Sequence, residues 1–143
     1  MKVINSLLFV LTIVVLGSCG PNLAEDPTMQ KAYSIFEEAA KAEKEVEQKM
    51  EELVQIKNNT NIAGRELSEE EMNRIKKIEE LEESFKAWQD NHPDVPGFDH
   101  AHTHDGKCNH GPKLDLLPDD WVRVQEEFRD NIMVIKKDVE MIL

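Results

Sequence analysis

Three stretches of the chain repeat apolar residues with a helical period. In the first, from about Thr28 to Asn58, Ala32, Ala39, Val46 and Leu53 recur at sevens. Ile35, Ala42 and Ile56 supply most of a second register, with Phe36 and Met50 beside it and Lys49 interrupting it. Glu37 with Lys41, and Glu45 with Lys49, have the i,i+4 spacing that pairs opposite charges on the wet side of a helix. Thr28 is the expected N-cap. The run Asn58-Asn59-Thr60-Asn61, with Gly64 beyond it, predicts the end.

The second stretch opens on Ser68-Glu69-Glu70-Glu71, a capping box in which Ser68 caps and Glu71 reaches back. Its apolar face is Met72, Ile75, Ile78, Leu81, Phe85 and Trp88, and it stops by His92 because Pro93 disfavours helix at the residue before it. The third begins at Pro118, a favoured first helical residue, with Asp119 and Asp120 where the helix dipole favours anions. There Trp121, Phe128, Ile135 and Ile142 repeat at sevens, widened by Val124, Ile132 and Val139. No strand-period segment competes. The pattern predicts an all-α fold: a three-helix up-down-up bundle with coiled-coil-like packing, with a long loop over 92–117 between the second and third helices. The Met, Phe and Trp stripes are core residues in this reading, not a cofactor box.

Ahead of these helices lies an apolar run of a different kind, Leu7 to Leu16, preceded by Lys2 and followed by Gly17-Ser18-Cys19. It is shorter than the roughly 20 apolar residues a spanning helix needs, and it has the length of a signal-peptide core. Leu16-Gly17-Ser18-Cys19 resembles the bacterial lipoprotein signal, in which small residues admit the chain to a peptidase and the cysteine becomes the lipidated first residue. Residues 1–18 are then a signal peptide, 19–27 a lipidated tether and 28–143 the helical domain. The alternatives are an uncleaved membrane anchor or an ordinary secretory signal. Two or three acyl chains, at about 0.8 kcal/mol per buried CH2, hold a protein on a membrane almost permanently. Gly20 after the cysteine, where inner-membrane retention in enteric lipoproteins uses aspartate, points to an outer membrane. The pair Glu25-Asp26 has only a slight likeness to the surface-export tags of Bacteroidota lipoproteins.

Charge narrows the partners. Lys2 is the only charged residue in 1–18, so cleavage leaves 125 residues and moves the net charge from -12 to -13. Such acidity argues against nucleic acid and against anionic headgroups, and it attracts cations. Acidic helices also simply stay soluble. With Cys19 used for lipid, Cys108 is left alone and no internal disulfide forms in the mature chain.

All five histidines, His92, His100, His102, His104 and His110, fall in one window with Cys108. Alternate residues of an extended segment point the same way, so His100, His102 and His104 converge, and Gly106 permits a reversal that returns Cys108 and His110. Imidazole and thiolate suit zinc and copper. Asp99 and Asp105 are placed to hold the second ring nitrogens. The spacing matches neither a zinc finger nor an H-E-x-x-H helix, and Lys107 within the cluster counts against tight binding. The competing reading is a solvated polar linker. Phe98, Leu114, Leu116 and Leu117 read as packing that pins the loop ends.

Leu16 to Cys19, the Phe85-x-x-Trp88 helix end, Pro96-Gly97-Phe98-Asp99-His100 and the histidine run together resemble the small helical, histidine-rich lipoproteins of Bacteroidota, some of which go under the name "viral A-type inclusion protein". The resemblance spans nearly the whole chain. It implies location and fold, and it brings no catalytic motif and no assigned activity. No nucleophile elbow, phosphate loop or paired catalytic carboxylates stand out in the sequence, and the small size of the bundle counts against the enzymatic alternative, a metal hydrolase. The expectation is a non-enzymatic envelope lipoprotein, anchored to the membrane by its lipid, whose loop binds zinc or copper through His100, His102, His104, Cys108 and His110. The alternative is a structural lipoprotein whose first helix pairs with a helical envelope partner or a second copy, its histidines incidental.

Overall fold

The computed structural model describes residues 22–62, 65–98 and 113–143, and among these the structure is helical without strands. A short 3-10 turn, Leu23–Glu25, precedes α1 (Pro27–Ile62); α2 (Glu69–Asn91) and α3 (Pro118–Ile142) follow. At 1.5 Å per residue the 36 residues of α1 extend about 54 Å.

The helix boundaries follow local chemistry. Asp26, not Thr28, caps α1: its Oδ1 accepts from the backbone N–H of Thr28 at 2.7 Å and of Met29 at 3.2 Å. Pro27 takes the first helical position, where its missing N–H costs nothing, and this moves the cap upstream of the expected threonine. Ser68 and Glu71 form the reciprocal capping box of α2. Arg65 clamps Glu71 as well, and this pairing, ahead of the bond from the Ser68 backbone, lowers the Glu71 carboxyl to about 2. α2 ends before Pro93, and α3 starts on Pro118. The polar run after Asn58 does not stop α1. Thr60 donates its hydroxyl to the Ile56 carbonyl at 2.8 Å, and Lys57 is ion-paired to Glu82 of α2, so the helix continues to Ile62.

Burial follows the sevens. Ala32, Ala39, Val46 and Leu53 are all fully buried. α1 meets α3 far more extensively than either meets α2, and the alanines let the two backbones approach. One core cluster draws on all three helices, including Val46 and Leu53 of α1, Ile78 and Phe85 of α2, and Ile132 and Val139 of α3. A second gathers Met29, Ala32, Ile35 and Phe36 of α1 with Trp121 and Val122 of α3, and Val95 from beyond α2 takes the place of a third helix. Three expectations about individual side chains need correction. Met72 is half exposed, because the first turn of α2 contributes no buried side chain. Val124 is only partly buried, and Val122 and Gln125 are the inward-facing neighbours. Glu45 and Lys49 do not pair with each other: Glu45 bonds Lys136 of α3 and Lys49 bonds Glu140 of α3, each at 2.5 Å. A long side chain beside a close helix contact reaches across it more readily than along its own surface.

Two outcomes follow. Ile78→Ala, at a fully buried position, is expected to cost about 2–5 kcal/mol, while Met72→Ala stays within about 0.5 kcal/mol; urea unfolding followed by helical circular dichroism measures both. The pH response has a definite sign. Bonds to Lys136 and Lys49 lower Glu45 and Glu140, as Arg65 lowers Glu71. Their stabilisation is complete above the ordinary carboxylate range and fades as pH falls through the lowered values, near 2 for Glu71. Lys136, raised by its bond to Glu45, contributes fully below the ordinary ammonium range and fades as pH rises through its raised value. Melting temperature should therefore drop on acidification from about pH 5 toward 2, modestly because the pairs are exposed, and less steeply in Glu71→Gln.

Candidate functional site: the roots of the histidine-rich loop

Cys19 and the metal-ligand candidates His100, His102, His104, Cys108 and His110 lie outside the described residues, as do Asp99 and Asp105. The structure describes the two roots between which residues 99–112 run.

The leading root starts at His92, the residue that closes α2. It is a core residue. Its ring lies 4.9 Å from Phe36 and 5.0 Å from Phe128, both stacked, and 4.5 Å from Trp88, centroid to centroid. Gln125, fully buried on α3, reads this corner with both ends of its amide: Nε2 donates to the Pro93 carbonyl at 2.8 Å, and Oε1 lies 2.9 Å from His92 Nε2. Because that oxygen only accepts, His92 Nε2 carries the proton, an assignment made from the network. Trp88 Nε1 donates to the Phe128 carbonyl at 2.8 Å, a second tie between the end of α2 and the middle of α3. His92 therefore anchors the loop, and a metal could engage its Nε2 only by displacing Gln125.

Beyond His92 the chain stays packed. Pro93 and Val95 are buried. Gly97 adopts a φ of 89°, and a Cβ there would stand 3.0 Å from Leu23 Cβ and 3.3 Å from the Ala24 nitrogen, so both the turn and the close approach require glycine. Phe98 stacks on Tyr33 with centroids 4.3 Å apart and planes 6° from parallel. At the trailing root, Leu116 packs on the Trp121–Val122 cluster, as Phe98 and Leu23 do. The loop thus leaves and returns at one cluster, which also receives the start of the described chain. Leu114 and Leu117 do not pin the loop: they are 38% and 71% exposed. Leu116 is the residue of this stretch that packs on the cluster.

Sequence reasoning did not find Gln125. The available signal was a polar residue at core spacing among Trp121, Phe128 and Ile132. Among the described residues, no group of three or more His, Cys, Asp or Glu side chains is close enough to hold an ion. No family model matches the chain, nor does any curated protein or solved structure.

Gln125→Leu keeps the volume but removes both bonds at the corner. It is expected to lower stability by about 1–3 kcal/mol and to speed amide exchange at His92, whose N–H bonds the Trp88 carbonyl; exchange at Ile78, in the main cluster, should change only with global stability.

Proposed function

We propose that this chain is a non-enzymatic, lipid-anchored protein of the bacterial envelope, held in an outer membrane through Cys19, with a loop that binds zinc or copper. The observation that carries the reading is Leu16-Gly17-Ser18-Cys19 directly after a short apolar run. His100, His102, His104, Cys108 and His110 are the metal ligands. Nitrogen and sulfur donors of this kind favour borderline and soft ions, and an acidic surface raises the local concentration of cations. Zinc or copper would be buffered there or passed to an envelope partner.

In this reading the helices are the scaffold, an up-down-up bundle with coiled-coil-like packing. The cross-helix ion pairs support that arrangement. Glu38–Arg129, Glu45–Lys136 and Lys49–Glu140 advance along α1 and α3 together. The α1–α2 contacts, Glu43 with Gln89 and Lys57 with Glu82, run in the opposite sense. The alternative, a structural coiled-coil lipoprotein pairing through its first helix, draws less support, since the stripe of α1 is already buried within the chain.

Labelled palmitate is expected to enter the wild type and not Cys19→Ser; equal labelling would sink the anchor. For the metal, calorimetry on the mature protein in detergent should show one zinc or copper site that weakens as pH falls through about 6.5, as protons compete for neutral imidazole. Replacing His102 and His104 together should abolish it. Graded, weak uptake like that of an unstructured tag would leave the loop a solvated linker. Chelation should leave the helical circular dichroism nearly unchanged, because the apolar stripes of the three helices lie outside the loop in the sequence.

A further inference from the structure

Leu117 occupies a position its chemistry does not explain. It is the N-cap of α3, where Ser, Thr, Asp or Asn would bond a free N–H, and it makes no side-chain cap bond. Nor is it buried: at 71% it is the most exposed large apolar side chain among the described residues, and Leu114 is 38% exposed. Leu117 is thus largely in water, and Leu114, three residues before it, is partly so, both at the trailing root of the loop.

Their place in the fold matters. Pro27, Thr28 and Lys31 of α1 line one groove with Asp119, Val122 and Arg123 of α3, so the first turns of the two helices lie side by side. Leu116 packs on the same cluster as Leu23. Leu117 therefore sits at the end of the protein from which the tether departs. Only two residues separate Cys19 from Asn22, the first described residue. At about 3.5 Å per residue, that stretch reaches roughly 10 Å, little more than the depth of a headgroup layer.

We infer that the exposed leucines at this end, Leu117 with Leu114, rest in the boundary between headgroups and acyl chains of the membrane that holds Cys19. The inference depends on acylation of Cys19. The tether makes insertion intramolecular, so two side chains too small to recruit a soluble protein suffice to orient an anchored one. At this end Glu25, Asp26, Asp115, Asp119 and Asp120 outnumber Lys31, Lys113 and Arg123, and the excess of negative charge repels anionic lipid, so the favoured surface is zwitterionic. The helices then stand up from the bilayer, with the root of the histidine loop at the membrane.

The test uses the full chain, expressed in bacteria and purified with its acyl groups, with Cys108→Ser to leave no other thiol. An environment-sensitive fluorophore is placed at Leu117→Cys, at Leu114→Cys or, as the distal control, at Met72→Cys, near Arg74, which bonds the last turn of α3. Circular dichroism checks each fold, and intact mass reads the acylation. In phosphatidylcholine vesicles, bromine on the acyl chains should quench the labels at 114 and 117 several-fold more than the label at 72. The difference should shrink as anionic phosphatidylglycerol is added. Acylated protein with equal quenching at all three positions overturns this inference alone. A Cys19 without lipid overturns it together with the anchor.

Discussion

The contact between α1 and α3 is the constraint from which the rest of the structure follows. Alanine at 32 and 39, with valine and leucine at 46 and 53, gives α1 a fully buried stripe that is narrow at its beginning and bulkier further on. Small side chains bring backbones close, and close backbones place flanking charges within reach of the other helix, where Glu45 and Lys49 find Lys136 and Glu140. The ion pairs are exposed and individually weak. Their contribution is to register, since sliding one helix along the other would break them together.

The same contact sets the task of the connector after α2. With 23 residues against the 36 of α1, α2 cannot cover the whole stripe. Where it stops, Val95 and Phe98 take over as apolar cover for Ile35, Phe36 and Trp121. The handover needs a sharp, dry corner, and a buried corner must satisfy its polar groups. Gln125 does so by holding the Pro93 carbonyl and the His92 ring at once, within a wall of Phe36, Trp88 and Phe128. The first of five histidines is in this way spent on structure, and the other four belong to the segment beyond Phe98.

The described core and the candidate ligands occupy different stretches of the chain. Among the described residues the core clusters are built from the helices and the loop roots, while the candidate ligands belong to the segment 99–112, outside the described residues. Both its roots are nonetheless fixed on one cluster, shared with Leu23. On the proposed reading this places metal chemistry next to the anchor, the natural arrangement for an ion exchanged with partners in or on the same membrane.

What the sequence determined by itself was local. The capping box at Ser68, the stop before Pro93, the start at Pro118 and the buried sevens of α1 each depend on residues within a turn or two, and periodicity reports them directly. The proposed lipoprotein signal and metal ligands rest on residue types in order alone, since Cys19 and residues 99–112 lie outside the described residues. Tertiary structure decided whatever depends on a neighbour: the charges of Glu45 and Lys49 turned toward α3, Met72 left in water, Gln125 drawn into the core, α1 extended past Asn58 beside Glu82, and Leu117 left outside while Leu116 went in. A helical period states which residues share a face. It does not state how far that face is rotated toward its partner or which side chains wait across the gap, and those two quantities exist only once the helices are packed.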